Sequence, residues 1–187
     1  MAIDKIQSES INLADNFAFT GTVTGAGGQI EMVDVWWTNS NQDISADTGT
    51  VATNWARITE TGNGRIGTGM THSSGIFTFP ATGIYLISTY WEVAATNAND
   101  PYIQVQTLVT TNNSSYGIVS RNGQGLTKYD SSTEINGSMS NTVIIDVAST
   151  SNTKVKFYFR ISGSHAKLVG SNTEGKNGVC FVRLGDT

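Results

Sequence analysis

Residues 154–162, KVKFYFRIS, alternate strictly. Val155, Phe157, Phe159 and Ile161 fall on one parity; Lys154, Lys156, Tyr158, Arg160 and Ser162 fall on the other. Side chains along a strand point to opposite faces in turn, so this stretch predicts a strand with one core face and one wet face. Residues 83–95, GIYLISTYWEVAA, do not follow that pattern. Tyr85, Ile87, Trp91 and Val93 share one parity, but Ile84, Leu86 and Tyr90 occupy the other. Large groups on both faces predict a strand covered on both sides. Two arrangements would cover it: a central strand inside one chain, or a second copy of the chain laid against the outer face. A sandwich of this length has no third layer, which favours the second copy.

Shorter apolar runs lie at 29–37 (QIEMVDVWW), 55–58 (WARI), 75–80 (GIFTFP), 102–110 (YIQVQTLVT), 115–121 (SYGIVSR), 133–140 (TEINGSMS), 142–148 (TVIIDVA) and 178–185 (GVCFVRLG). Pro80 has no N–H for a ladder and is expected to end its strand. Asn63-Gly64, Asn122-Gly123, Asn136-Gly137 and Asn177-Gly178 signal turns, because both residues accept positive φ. No window carries the apolar spacing of an amphipathic helix. Gly is abundant at 20 residues and Pro scarce at 2, so the chain reads as one all-β domain with many turns. Trp36 and Trp37, if extended, point to opposite faces, one into the core and one to an interface.

The first 28 residues differ in kind. In DNFAFTGTVTGAGG, Phe17, Phe19 and Val23 share a parity, with Thr20, Thr22 and Thr24 opposite. That suffices for one extended strand but not for a core. GAGG at 25–28 reads as a flexible join. The expected organisation is an extended N-terminal anchoring arm, 1–28, held by something outside itself, followed by a folded domain, 29–187.

Charge narrows the function. The net charge is −4, charged residues are 14%, and Lys and Arg form no cluster, which disfavours a nucleic-acid binder. No apolar run reaches the roughly 18 residues of a membrane span. The start shows no basic stretch followed by an apolar one, so no signal peptide is expected. Cys180 is the single cysteine, which excludes an intrachain disulfide and fits folding in a reducing cytosol. The two histidines, His72 and His165, sit in neither metal-ligand nor triad spacing; Ser73 and Ser74 beside His72 are neighbours in sequence only. The carboxylates are scattered and the chain has no repeat, unlike polysaccharide-cleaving β-helices. No catalytic site is expected. Two oxygen-rich loops, 39–49 and 97–101, offer Asp43, Asp47, Asn97, Asn99 and Asp100 to a calcium ion, without dedicated spacing; turn chemistry explains the same residues. No other cofactor is expected.

Residues 51–88 resemble the first part of a C1q/TNF-type jelly roll. Gly75, Phe77, Pro80, Gly83 and Tyr85 fit the family's Gly-x-Phe-x-x-Pro-x-x-Gly-x-Tyr pattern, with Phe79 beside them. Residues 141–163 resemble its strand, small polar turn, strand element, and 177–185 its closing strand, with Phe181 and Leu184 in apolar slots. The family's Phe-x-Gly is absent, since Val182 and Arg183 follow Phe181. The resemblance covers about 30–187 and is specific around 75–91. It implies a two-sheet antiparallel jelly-roll sandwich and a tight homotrimer with aromatic and aliphatic residues at the threefold axis. Candidates for that interface are Tyr85, Ile87, Trp91 and Phe157 or Tyr158.

Residues 1–28 resemble the leaders of small structural proteins of tailed bacteriophages, particularly from marine and cyanobacterial hosts. Such leaders attach a trimeric knob to capsid, neck or tail. The two resemblances together imply a non-enzymatic virion structural protein, made in the host cytoplasm. Its arm, through Phe17, Phe19 and Val23, would dock onto a capsid or tail protein, as a capsid decoration or a short tail-fibre tip. The alternative is a receptor- or carbohydrate-binding adhesin at a fibre tip. It would meet a host-surface glycan with loops 39–50, 97–101, 122–132 and 163–177. A third reading is a bacterial C1q-like protein unrelated to phage.

Overall fold

The computed structural model describes residues 30–45, 49–57, 64–95, 100–127, 134–163 and 166–187. The anchoring arm, with Phe17, Phe19 and Val23, lies outside these residues. Among the described residues there are thirteen strands, and no helix is long and apolar enough to cross a membrane. Two antiparallel sheets pack into a jelly-roll sandwich. Sheet A runs β2 (Gln42–Asp43), β12 (Ala166–Leu168), β7 (Gly83–Ala95), β13 (Gly178–Gly185), β1 (Met32–Thr38) and β4 (Trp55–Arg57), with β10 (Ile135–Val147) on the other edge of β7. Sheet B runs β5 (Thr71–Ser73), β6 (Ile76–Thr78), β11 (Lys154–Ile161), β8 (Asp100–Thr110) and β9 (Gly117–Leu126), with β3 (Thr50–Val51) also on β11.

The core follows from the parities. Tyr85, Ile87, Trp91 and Val93 of β7 face Val155, Phe157, Phe159 and Ile161 of β11, and all are buried. Ring contacts tie the layers together: Trp91 stands 5.5 Å from Phe157 and 5.0 Å from Phe159, and Phe77 stands 5.1 Å from Phe181. Tilted and edge-on rings of this kind contribute about 0.5–1.5 kcal/mol each beyond the area they bury.

The segment between β6 and β7 is a corner from one sheet to the other. Phe79 stays in the core, 4.8 Å from the Tyr85 ring, while the Tyr85 hydroxyl donates to Ala81 O at 2.9 Å. Gly83 has φ +135°, and an added Cβ would meet the Gly185 carbonyl and the Arg183 guanidinium. Arg183 fastens the corner by donating to Thr82 O at 2.9 Å and pairing with Glu31 and Asp186.

Three turn expectations are corrected. Asn122-Gly123 lies inside β9, and Asn136-Gly137 inside a single 13-residue β10 that joins the two runs expected at 133–140 and 142–148. These glycines make room for neighbours. A Cβ on Gly123 would stand 3.0 Å from Gln104 Cγ, and one on Gly137 would strike the Gln124 amide. Asn177-Gly178 opens β13 and makes no hairpin: buried Asn177 accepts from Glu92 N and donates to Val169 O. Trp36 and Trp37 do face opposite ways. Trp36 packs in the core, 5.4 Å from Phe77, but Trp37 is covered by its own chain, with Gly175 against its ring.

Candidate interaction surfaces

Four of the residues expected at a threefold axis lie elsewhere. Tyr85, Ile87, Trp91 and Phe157 are each 2% exposed or less and sit between the two sheets. A single chain already covers them, so none has surface to offer a second copy. The parity was legible; the rings belong to the covered side of it. Tyr158 is half-buried on the outer face of sheet B, where Gly49 (φ +69°) packs against it; an added Cβ there would stand 2.6 Å from a ring carbon.

The face that one chain leaves open is the other side of sheet A. Registers place Val33 opposite Val182, Val182 opposite Leu86, and Leu86 opposite Ile144, so an apolar row crosses four strands. Val33, Val182 and Leu86 are half-buried, and Ile144 is 64% exposed. The next row is Val35, Cys180, Ser88 and Thr142, and the one after is Trp37, Gly178, Tyr90 and Ser140. Gly178 lets the Tyr90 ring lie flat across β13, since an added Cβ would stand 2.5 Å from a ring carbon. The face is apolar near Gly83 and turns polar near Ala95, where Asn136 donates to Glu92 at 3.0 Å. A cleft of about 360 Å³ opens there beside Tyr90, Glu92, Ser138 and Lys176. The Cys180 thiol is half-buried, and burial, then the Asp34 carboxylate, raises its pKa, which disfavours the nucleophilic thiolate.

The free edges of the two sheets meet along β9 and β10, and side chains close the gap. Asn122 donates to Ser140 O at 2.8 Å. The Gln124 amide, oriented to satisfy both its atoms, accepts from Ser138 N at 3.1 Å and donates to Ser138 O at 3.3 Å. Beyond the bulge at Val119, Ile118 and Val119 of β9 are each 47% exposed and add apolar surface to the edge strand of sheet B.

The outer face of sheet B is different. Lys154, Lys156, Tyr158 and Arg160 line β11. Gln106 of β8 stands between Tyr158 and Arg121, and Gln104 between Arg160 and Gly123. Lys156 Nζ lies 4.1 Å from the Tyr116 ring centroid, and Lys154 donates to Thr150 O at 2.7 Å. A second cleft, about 460 Å³, opens around Tyr102, Gln104 and the backbone of β9.

Asp34, Arg57 and His72 are taken up by the fold. Asp34, 1% exposed, accepts from Trp36 Nε1 at 2.9 Å, Met70 N at 2.7 Å and Arg57 Nε at 3.1 Å, and the Arg57 guanidinium lies 4.4 Å over the Trp36 ring. Sequence reasoning passed over this pair, because nothing in the spacing of residues 34 and 57 signals it. His72 Nε2 accepts from Gly75 N at 2.9 Å, its ring packs 4.9 Å from Phe77, and burial lowers its pKa. His165 and the calcium candidates Asp47, Asn97 and Asn99 lie outside the described residues, as does the side chain of Asp100. Asp43 is exposed in β2. Among the described residues no three His, Cys, Asp or Glu side chains are grouped to hold a metal ion.

The fold recurs in known structures. Murine APRIL at pH 5.0 matches with a TM-score of 0.58 at 16% identity, covering 82% of this chain and 98% of that one. Eiger TNF from S. frugiperda matches at 0.56 with 14% identity, covering 85% and 96%. The fold is a TNF-like jelly roll. The PRD1 vertex protein P5 also matches, at 16% identity over 84% of this chain and 100% of that one, but its TM-score of 0.48 is too loose to argue from. No family model matches the sequence, and no curated protein matches it.

Proposed function

We propose that this chain is a non-enzymatic structural protein that works as a homotrimeric knob, with residues 1–28 attaching it to a capsid or tail protein of a virion. The observation that carries the trimer is the apolar row Val33, Val182, Leu86 and Ile144, with Ile118 and Val119 exposed on the edge strand β9. A face on one copy against a different surface on the next makes a head-to-tail contact, which closes into a three-membered ring when each copy is turned by a third of a circle from the last. Exposed apolar patches of this kind mark interaction surfaces. The TNF-like fold is compatible with this arrangement. The absence of catalysis is supported by the two most chemical-looking groups, Asp34 and His72, each being taken up by backbone and ring contacts.

Sedimentation velocity of the full chain should give a species of three times the 19.9 kDa chain mass. A well-folded single subunit at micromolar concentration would overturn the reading. The virion setting is supported by the resemblance of residues 1–28 to phage leaders. Deleting them should leave a soluble trimer that no longer binds particles, and mass spectrometry of purified virions should find the chain; its absence there would end that part of the reading.

A further inference from the structure

We propose that the cleft on the outer face of sheet B, between Tyr102 and the glycine-bearing strand β9, binds an acidic saccharide. This gives chemical content to a role in adhesion and does not depend on the trimer. Three observations converge on it.

The first is the segregation of charge. The chain is acidic overall, at −4. Yet the strands of sheet B contain Arg121, Lys154, Lys156 and Arg160, and the one carboxylate residue among them is Asp100, at the end of β8. The strands of sheet A mix the signs, with Asp34, Asp43, Glu92 and Asp146 against Arg57, Lys167 and Arg183. A surface of one sign raises the local concentration of the opposite one.

The second is the shape. Gly123 and Gly125 take alternate positions on β9 and so share the outward face, which leaves bare backbone beside Gln104 and the half-buried Tyr102. The Gln104 stem lies directly over Gly123, and its carbonyl accepts from Gln106 at 3.3 Å, which fixes the amide in place. The space, about 460 Å³, falls in the range of small-ligand sites.

The third is the placement of the cations. Arg160 stands across Gln104 from Gly123, so it flanks the cleft from β11, while Arg121 forms part of its β9 wall. Both are exposed. Two strand spacings separate the two rows, roughly 10 Å. A guanidinium meets a carboxylate through two parallel hydrogen bonds, a match that a lysine does not offer. The two lysines of this face are set apart, one against Thr150 O and the other over Tyr116. An aromatic ring, amides and two guanidiniums suit a sugar ring with hydroxyls and a carboxylate. A nucleic acid would call for a track of cations along the face rather than a pocket between two of them.

The test is affinity electrophoresis of the full chain through gels containing polygalacturonate, its methyl-esterified and therefore uncharged form, or duplex DNA, at low ionic strength. The wild-type protein should be retarded by polygalacturonate only. Arg121→Gln with Arg160→Gln should weaken that retention at least about tenfold, the size expected for lost charge-assisted hydrogen bonds. Lys154→Gln with Lys156→Gln, the same change in charge, should leave it within about twofold, the size expected of point charges screened by solvent. Tyr102→Ala should weaken it while near-ultraviolet dichroism shows the fold intact. No retardation, equal retardation by the methyl ester or by DNA, or equal loss in the two double variants would each overturn the proposal.

Discussion

The outer faces of the two sheets cover one shared core and could hardly be less alike. On sheet B, β11 shows Lys154, Lys156, Tyr158 and Arg160 in succession, beside Gln104 and Gln106. On sheet A the corresponding surface is crossed by Val33, Val182, Leu86 and Ile144. Inner parity in both strands is filled by rings and branched side chains, so the core explains neither outer face. The difference teaches that alternation reports what lies inside a sandwich, and that its failure reports what the outside is meant to meet. Burying a Val, Leu or Ile side chain fully is worth about 1.5–3 kcal/mol; with three of the four residues already half covered, roughly 1 kcal/mol each remains to be gained by a partner. The outer face of β11 and β8 leaves no comparable gain and keeps its charges in water.

The largest way to disturb this contrast is to remove the core beneath it. Phe157→Ala should cost about 3–5 kcal/mol in urea unfolding, and both faces should be lost in one transition because the two sheets share the same rings. Next comes a charge on the apolar row. Leu86→Arg places an unpaired cation in the proposed contact, about 3 kcal/mol, so the trimer should dissociate on the order of a hundredfold more readily by sedimentation while far-ultraviolet dichroism is unchanged. Lys156→Glu on the other sheet should leave the mass alone; if it dissociates the assembly as well, the assignment of faces is wrong. A smaller effect is expected at the seam between the sheets. Gln124→Ala removes two hydrogen bonds to Ser138, so about 1–2 kcal/mol of local protection should disappear, seen as faster amide exchange at Ser138.

The smallest effect concerns pH. Burial lowers the His72 pKa below 6.5, so the unfolded chain takes up that proton more readily than the folded one. The His72 contribution is whole above 6.5 and is lost as pH falls through the depressed folded value. Protonation would also take Nε2 from the Gly75 N–H. Urea midpoints should therefore fall on acidification below 6.5, and His72→Gln should flatten that part of the curve; an unchanged slope would show that the imidazole is not the group responsible.

Where local pattern decides the structure, the sequence sufficed. The strands 83–95 and 178–185 have the expected bounds, and 154–161 falls short by a single residue. Where pairing decides it, pattern was blind. Asn122-Gly123 and Asn136-Gly137 read as turns because their glycines accept positive φ, but they are strand residues that make space for Gln104 and Gln124 on the next strand. Trp37 needed a cover, and the chain's own Gly175 segment supplies it. Four of the five axis candidates fell in the core: the resemblance put aromatic and aliphatic residues at an axis, but the sequence did not say which of them a two-layer core would bury first. Arg121 and Arg160 are 39 positions apart in the chain, and only the register through β8 sets Arg160 beside the cleft that Arg121 lines. Asn122 signalled only a turn and Gln124 nothing, since an amide that caps a sheet edge looks like any other polar residue in a strand.

That pair of amides has a consequence for crowding. Unpaired strand edges template the growth of fibrils when many copies of a protein are held side by side. Here the Ser138 carbonyl and N–H and the Ser140 carbonyl that an incoming backbone would seek are already engaged from within. Along this stretch of β10, a neighbouring copy held at high density would find no ladder to extend.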